Sequence, residues 1–145
     1  MADVKIIDID SEQWNMKDQN ARDRLTILEE KQNATNGDNI NVSLTSGVSA
    51  SNIQFTNHVK LGKLHYALLD ISNLNASFVG TTTSGNIGTT NIRPFTTFYA
   101  ISVDYKTGVP IRIGINQDGK LTHGESYGMN KGNNQIRCPM WWIES

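Results

Sequence analysis

Every glycine and every proline of this chain lies at or beyond Gly37, twelve of the one and three of the other. These two residue types break helices and build tight turns. Their absence before Gly37 permits one continuous helix there, and their density afterwards demands frequent turns. Charge divides at the same place. Residues 1–36 hold eight of the 14 acids but five of the 13 bases, so they carry about −3 and the remainder about +2. The spacing therefore predicts an extended segment over 1–13, a helix over 14–36 and a separate domain over 37–145.

Within the first part, Val4 to Ile9 alternates β-branched residues with charge, as an extended segment does. Asp10 or Ser11 supplies a helix cap, with Glu12 and Gln13 in the first turn. Placing Trp14 at heptad position d puts Asp18 at a, Ala21 at d, Leu25 at a, Leu28 at d, Gln32 at a and Thr35 at d. The four–three spacing of Ala21, Leu25 and Leu28 is a coiled-coil seam, widened by Ile27. A helix this short and polar is marginal alone. It is read here as a self-associating stalk, with a surface helix docked on its own domain as the competing reading.

Beyond Gly37 the apolar period changes to two, the signature of strands. Ile40, Val42 and Leu44 alternate with polar residues, and Ile53, Phe55, Val59 and Leu61 are read as one strand face. The run Lys63 to Ile71 is apolar on both faces near its end, as a central strand is. Gly62 marks a hairpin before it. Phe95 to Tyr105 places Thr97, Tyr99, Ile101, Val103 and Tyr105 on one face. Pro110 opens a strand in which Ile111, Ile113 and Ile115 alternate with Arg112, Gly114 and Asn116, and Asp118-Gly119 is the best hairpin turn in the chain. Gln135 to Ile143 closes the series. Stretches 80–91 and 122–134 read as polar loops. Seven or eight short strands without helical period predict an antiparallel β-sandwich or jelly roll.

Composition excludes several functions. Asn, Thr and Ser number 16, 13 and 11, while charged residues make only 19%, below the ~25% of average proteins. Near-neutral net charge disfavours a phosphate-gripping nucleic-acid binder. One cysteine, Cys138, allows no intramolecular disulfide and no multi-cysteine zinc site. Ahead of Pro139 in an apolar strand, it reads as a buried, inert thiol. No apolar run approaches the ~18 residues of a membrane span. The start MADVKIIDID has no apolar core of a signal peptide, so the chain is expected to be made in the cytoplasm. His58, His65 and His123 lack metal-ligand spacing, and His65 reads as a partly buried structural residue. No phosphate-binding or nucleophile-elbow motif is present. No cofactor, metal or catalytic residue is expected. Adjacent Trp141 and Trp142 must point to opposite strand faces. One fills the core; the other is exposed, covered by a subunit, or stacked on a ligand.

Three segments resemble the tail-fibre and receptor-binding proteins of bacteriophages and prophages. WNMKDQNARDRLTILEEK (Trp14 to Lys31) is similar to the KDxxAR opening helix of minor tail and baseplate proteins. NIQFTNHVKLGKLHYALLDIS (Asn52 to Ser72) resembles a strand pair of fibre heads. IRPFTTFYAISVDYKTGVPIRIGINQDGKL (Ile92 to Leu121) resembles their block running from RP to a dG-type hairpin. Together they cover over half the chain in the family's order. The departure is at the N-terminus, where only about 13 residues precede the helix instead of a larger attachment region.

The resemblance implies a homotrimer with a short parallel coiled coil, its seam at Trp14, Ala21, Leu25 and Leu28, below a β-sandwich head. It implies a virion location, attachment to other tail or baseplate proteins through the N-terminus, and binding of a cell-surface saccharide without membrane insertion or nucleic acid. Three weak sugar sites on one trimer gain avidity. The residues expected to bind are His123, Glu125, Tyr127, Asn130, Lys131 and Asn133, with Trp141 or Trp142. A purely structural virion role is the alternative, and a polysaccharide depolymerase a minor one.

Overall fold

A computed structural model describes residues 19, 21–25 and 34–145. The chain separates into two compact units, 1–33 and 34–145. In the first, Gln19 and Ala21 to Leu25 are helical. The Gln19 side chain donates to Asp23 Oδ1 at 2.8 Å, one turn on. Ala21 and Leu25 are both exposed. Trp14 and Leu28, the rest of the expected seam, lie outside the described residues, as do the 1–13 segment and its cap. The helix expected through position 36 does not reach that far. Thr35–Asn36 is instead a short strand, β1, taken up by main-chain pairing with Lys60 and Val59.

The second unit is mainly β. Its other strands are β2 (Val42–Leu44), β3 (Asn52–Leu61), β4 (Leu64–Ser72), β5 (Gly85–Thr90), β6 (Phe98–Val103), β7 (Pro110–Ile115), β8 (Lys120–His123) and β9 (Gln135–Ile143). They form two antiparallel sheets, ordered β1-β3-β4-β9 and β2-β5-β8-β7-β6. Both contribute to one sandwich-like core. β4 gives Ala67, Leu69 and Ile71; β9 gives Ile136, Cys138, Met140 and Trp142; β7 gives Ile111, Ile113 and Ile115; Ile87 and Leu121 complete it. Each large apolar side chain buried there is worth ~1.5–3 kcal/mol. β6 runs beside β9, bridged at Pro94–Glu144 and Asp104–Ile136. The Ser102 hydroxyl donates to the Arg137 carbonyl at 2.7 Å, tying the two sheets along that side. Pro139 is tolerated because β9 is the edge strand of its sheet.

Hairpins at Gly62 and Asp118-Gly119 form where expected, both glycines having positive φ. β4 is central, between β3 and β9. Two expectations are corrected. First, Ile53, Phe55, Val59 and Leu61 do not share a face. A bulge between Thr56 and Val59 shifts the register, and Asn57 sits there at φ 53°. The extra residue reverses the alternation, so Ile53 and Phe55 pack on the core while Val59 and Leu61 turn outward. Second, the polar stretch 80–91 contains β5. Gly88 lets β5 approach β2 closely, since a Cβ there would overlap the Ser43 carbonyl oxygen. The residues of β6 expected on one face do share it, and that more apolar face is the outer one. Tyr99, Ile101, Val103 and Tyr105 are exposed, and Phe98, Ala100, Ser102 and Asp104 face in.

The sheets have two poles. Ala34, the 62–63 turn, 91–97, the 116–119 turn and the end of β9 lie at one, called near because the second unit begins there. Turns 45–51, 73–84 and 104–109 and loop 124–134 lie at the far pole, beside the start of β9.

Candidate functional site

The far pole is a cluster of polar loops built on buried anchors. Asn134 is fully buried. Its Oδ1 accepts from the Leu74 amide at 2.8 Å, and its Nδ2 donates to the carbonyls of Leu74 (2.8 Å) and Asn130 (2.7 Å). The Ser126 hydroxyl accepts from the Gly80 amide at 3.0 Å, and the Ser126 amide donates to the Thr81 carbonyl at 2.9 Å. Met129 plugs the core. Asp104, also buried, accepts from the Gln135 amide (2.8 Å), the Thr107 hydroxyl (2.5 Å) and the Lys106 amide (3.2 Å). Burial alone would raise its pKa, but these donors, led by Gln135, hold the carboxyl below its usual range. Loop 124–134 is thus pinned at every few residues.

Between the anchors, Glu125, Tyr127, Asn130, Lys131 and Asn133 are exposed, Tyr127 at 78%. Lys106 Nζ donates to Asn133 Oδ1 at 2.6 Å. These five are brought together on one pole. His123 is not with them. It is fully buried on β8 with its ring against Phe78, so it offers no atom to a surface ligand. Burial pushes its pKa down, only partly offset by the Gly124 backbone, and neither ring nitrogen has a hydrogen-bond partner.

The tryptophans are also elsewhere. They split across β9 as alternation requires, Trp142 inward and Trp141 58% exposed. Both sit at the near pole, six residues along β9 from Gln135, or ~20 Å. Trp141 packs on Tyr66, ring centroids 4.5 Å apart, above a shallow apolar groove lined by Ala34, Val59, Leu61 and Leu64. The loop residues and Trp141 therefore do not form one site.

A third arrangement went unread in the sequence. At the near pole a cleft of about 160 Å³ is lined by Asp38, Asn39, His58, Lys60, His65, Arg93, Trp142 and Glu144, among others. His58 and His65 are seven residues apart, yet the 62–63 hairpin folds them together. Pairing of Lys60 with His65 was the available signal. Most polar groups here are already spoken for: Asn91 bonds the Asn41 amide and the Asn39 carbonyl, and Arg93 bonds the carbonyls of Thr90 and Ile92.

Among the described residues, no group of three or more His, Cys, Asp or Glu is placed to hold a metal ion. Nor is any helix among them long and apolar enough to cross a membrane. Cys138 is buried and unpaired, and burial raises its pKa to about 11. No protein-family model matches the chain, and no curated protein shows significant similarity to it.

Proposed function

We propose that this chain is a phage-type host-adhesion protein: a homotrimeric β-sandwich head, carried in the virion on a short coiled coil, that binds a cell-surface saccharide through its far pole. The observation that carries the reading is the polarity of the head. Its polar, pre-anchored loops gather at the pole opposite Ala34, where the chain arrives from residues 1–33. An adhesin needs its attachment at one end and its recognition surface at the other. Fixed loops bearing amides, a lysine, a carboxylate and an exposed tyrosine ring suit a sugar, whose hydroxyls take hydrogen bonds and whose CH faces stack on aromatics. Rigid loops also spare the ordering cost of binding.

Self-association is supported by the outer surface of the adjoining strands β6 and β9. Phe95, Tyr99, Tyr105 and Trp141 are 58–67% exposed, and Ile101 and Ile143 are 77% and 55% exposed. At ~200 Å² per aromatic, the four rings alone leave about 500 Å² in water. The exposed rings run along both strands, from Phe95 at the near pole to Tyr105 at the far one. The same surface favours the second reading, a structural virion component that contacts only protein.

Binding of the whole chain to purified host-wall saccharides, measured by calorimetry or a glycan array, separates the two. The adhesion reading expects micromolar-to-millimolar binding per site. It expects Tyr127→Ala and Lys131→Ala each to weaken binding about ten-fold or more, with thermal stability unchanged. Binding that survives both substitutions would move the site off the far pole. No binding to any wall saccharide, with the oligomer intact, would favour the structural role. A falling saccharide chain length on incubation would instead indicate a depolymerase.

A further inference from the structure

The near-pole cleft contains an unbroken line of hydrogen-bonding groups. His58 Nδ1 lies 2.7 Å from the Asp38 carbonyl oxygen. His58 Nε2 lies 2.9 Å from His65 Nδ1. His65 Nε2 lies 3.2 Å from Glu144 Oε2. His58 and His65 lie edge to edge, ring centroids 5.1 Å apart, and both rest against Trp142, at 5.3 and 5.0 Å.

Counting protons decides what this line needs. Each of its three gaps requires one hydrogen. The Asp38 carbonyl has none to give, so His58 Nδ1 carries one. An ionised Glu144 has none either. Two neutral imidazoles supply two hydrogens, one short of three. One additional proton, on an imidazole or on Glu144, completes every bond. A second proton that makes both rings imidazolium leaves His58 Nε2–H facing His65 Nδ1–H across 2.9 Å, which breaks the centre of the line.

His58 also touches the chain that follows β1, its ring through the Asp38 carbonyl and its backbone, not its ring, through Gly37. The Gly37 amide donates to the His58 carbonyl at 2.8 Å, and a Cβ on Gly37 would overlap the His58 ring. Segment 37–40 lies in the 37–41 link between β1 and β2 and is seated against this imidazole.

We infer that His58, His65 and Glu144 form a site for one shared proton that latches segment 37–40 onto the near pole, tightest with a single proton bound and loosened when that proton leaves or a second joins it.

The charges around the latch come from every neighbouring element. Lys60 on β3 faces His65 and pairs with the exposed Asp38 at 3.7 Å. Arg93 and the Ser145 terminus line the same cleft. Burial opposes a proton on His65, Glu144 favours it, and His58 and Lys60 oppose it further, so the His65 pKa lies below the ordinary imidazole value. The inference stands apart from the adhesion reading, since it uses no far-pole residue.

The test uses the whole chain labelled with nitrogen-15. Long-range proton–nitrogen spectra report the tautomer and charge of His58 and His65. Amide exchange at Gly37, corrected for its intrinsic pH dependence, reports the latch. The wild type is expected to show a bell-shaped protection profile, each limb falling about five-fold, the effect of one ordinary hydrogen bond. Glu144→Gln supplies the missing hydrogen from its carboxamide. It should remove the alkaline limb and leave the acid limb in place. Glu144 is partly exposed, so the variant folds. Two rings titrating independently, with flat Gly37 protection, would overturn the inference. So would an alkaline limb in Glu144→Gln equal to that of the wild type.

Discussion

His123 shows how one buried ring links stability to pH. Its side chain is completely enclosed, and both ring nitrogens lack partners. The folded protein therefore resists the proton, while the unfolded chain accepts it near 6.5. Because the folded value is depressed, its contribution is complete above about pH 6.5 and is lost as pH falls through the folded value. One such group changes stability by at most ~1.4 kcal/mol per pH unit. The melting temperature should hold between pH 8 and 6.5 and then fall. His123→Leu removes the titration and should make that fall shallower, with His65 supplying what remains. An unchanged slope in the variant would show that the ring is reached by water or a partner. Alternation along strands does not distinguish a buried polar residue from an exposed one, which is why His123 reads as a loop-end ligand in the sequence.

The bulge in β3 acts at the scale of one element and redirects half of a strand. Asn57 takes the left-handed conformation that asparagine and glycine tolerate best. Asn57→Gly should lie within ~0.5 kcal/mol of the wild type, whereas Asn57→Val should cost about 1–2 kcal/mol in urea unfolding. Equal stability of all three would mean that the bulge is not held by this residue. Much of the element pattern was legible: the turns at Gly62 and Asp118-Gly119, the central β4, the isoleucine row of β7, the inert Cys138 and the split tryptophan pair all follow from local chemistry. The rest depends on partners distant in sequence. A bulge reverses parity without altering composition. β5 is polar enough to resemble a loop, because Gly88 serves the close approach of β2 and Gly85 makes room for the Phe78 ring. The outer face of β6 looks like core because it is as apolar as a core face. The loop residues of the candidate site were legible one by one, but their ~20 Å separation from the tryptophans is set by the length of β9.

For the whole molecule, the arrangement of surfaces matters more than any single site. Pre-anchored polar loops occupy one pole. The chain arrives at the other, where a proton-sensitive histidine line seats the first connector. Along the side run exposed aromatic and aliphatic residues of β6 and β9. Ala21 and Leu25 are exposed, as are the other described residues of the helical stretch. The proposed trimer would cover the β6–β9 side of each head. Solution mass by size exclusion with light scattering, at micromolar concentration and neutral pH, tests this most directly. Three copies of 16.1 kDa give about 48 kDa. A single species at that mass, shifted toward monomer by Trp141→Ser with Ile101→Ser, is the result expected here. A clean 16.1 kDa monomer would contradict the stalk, the interface and the adhesin reading that depends on them.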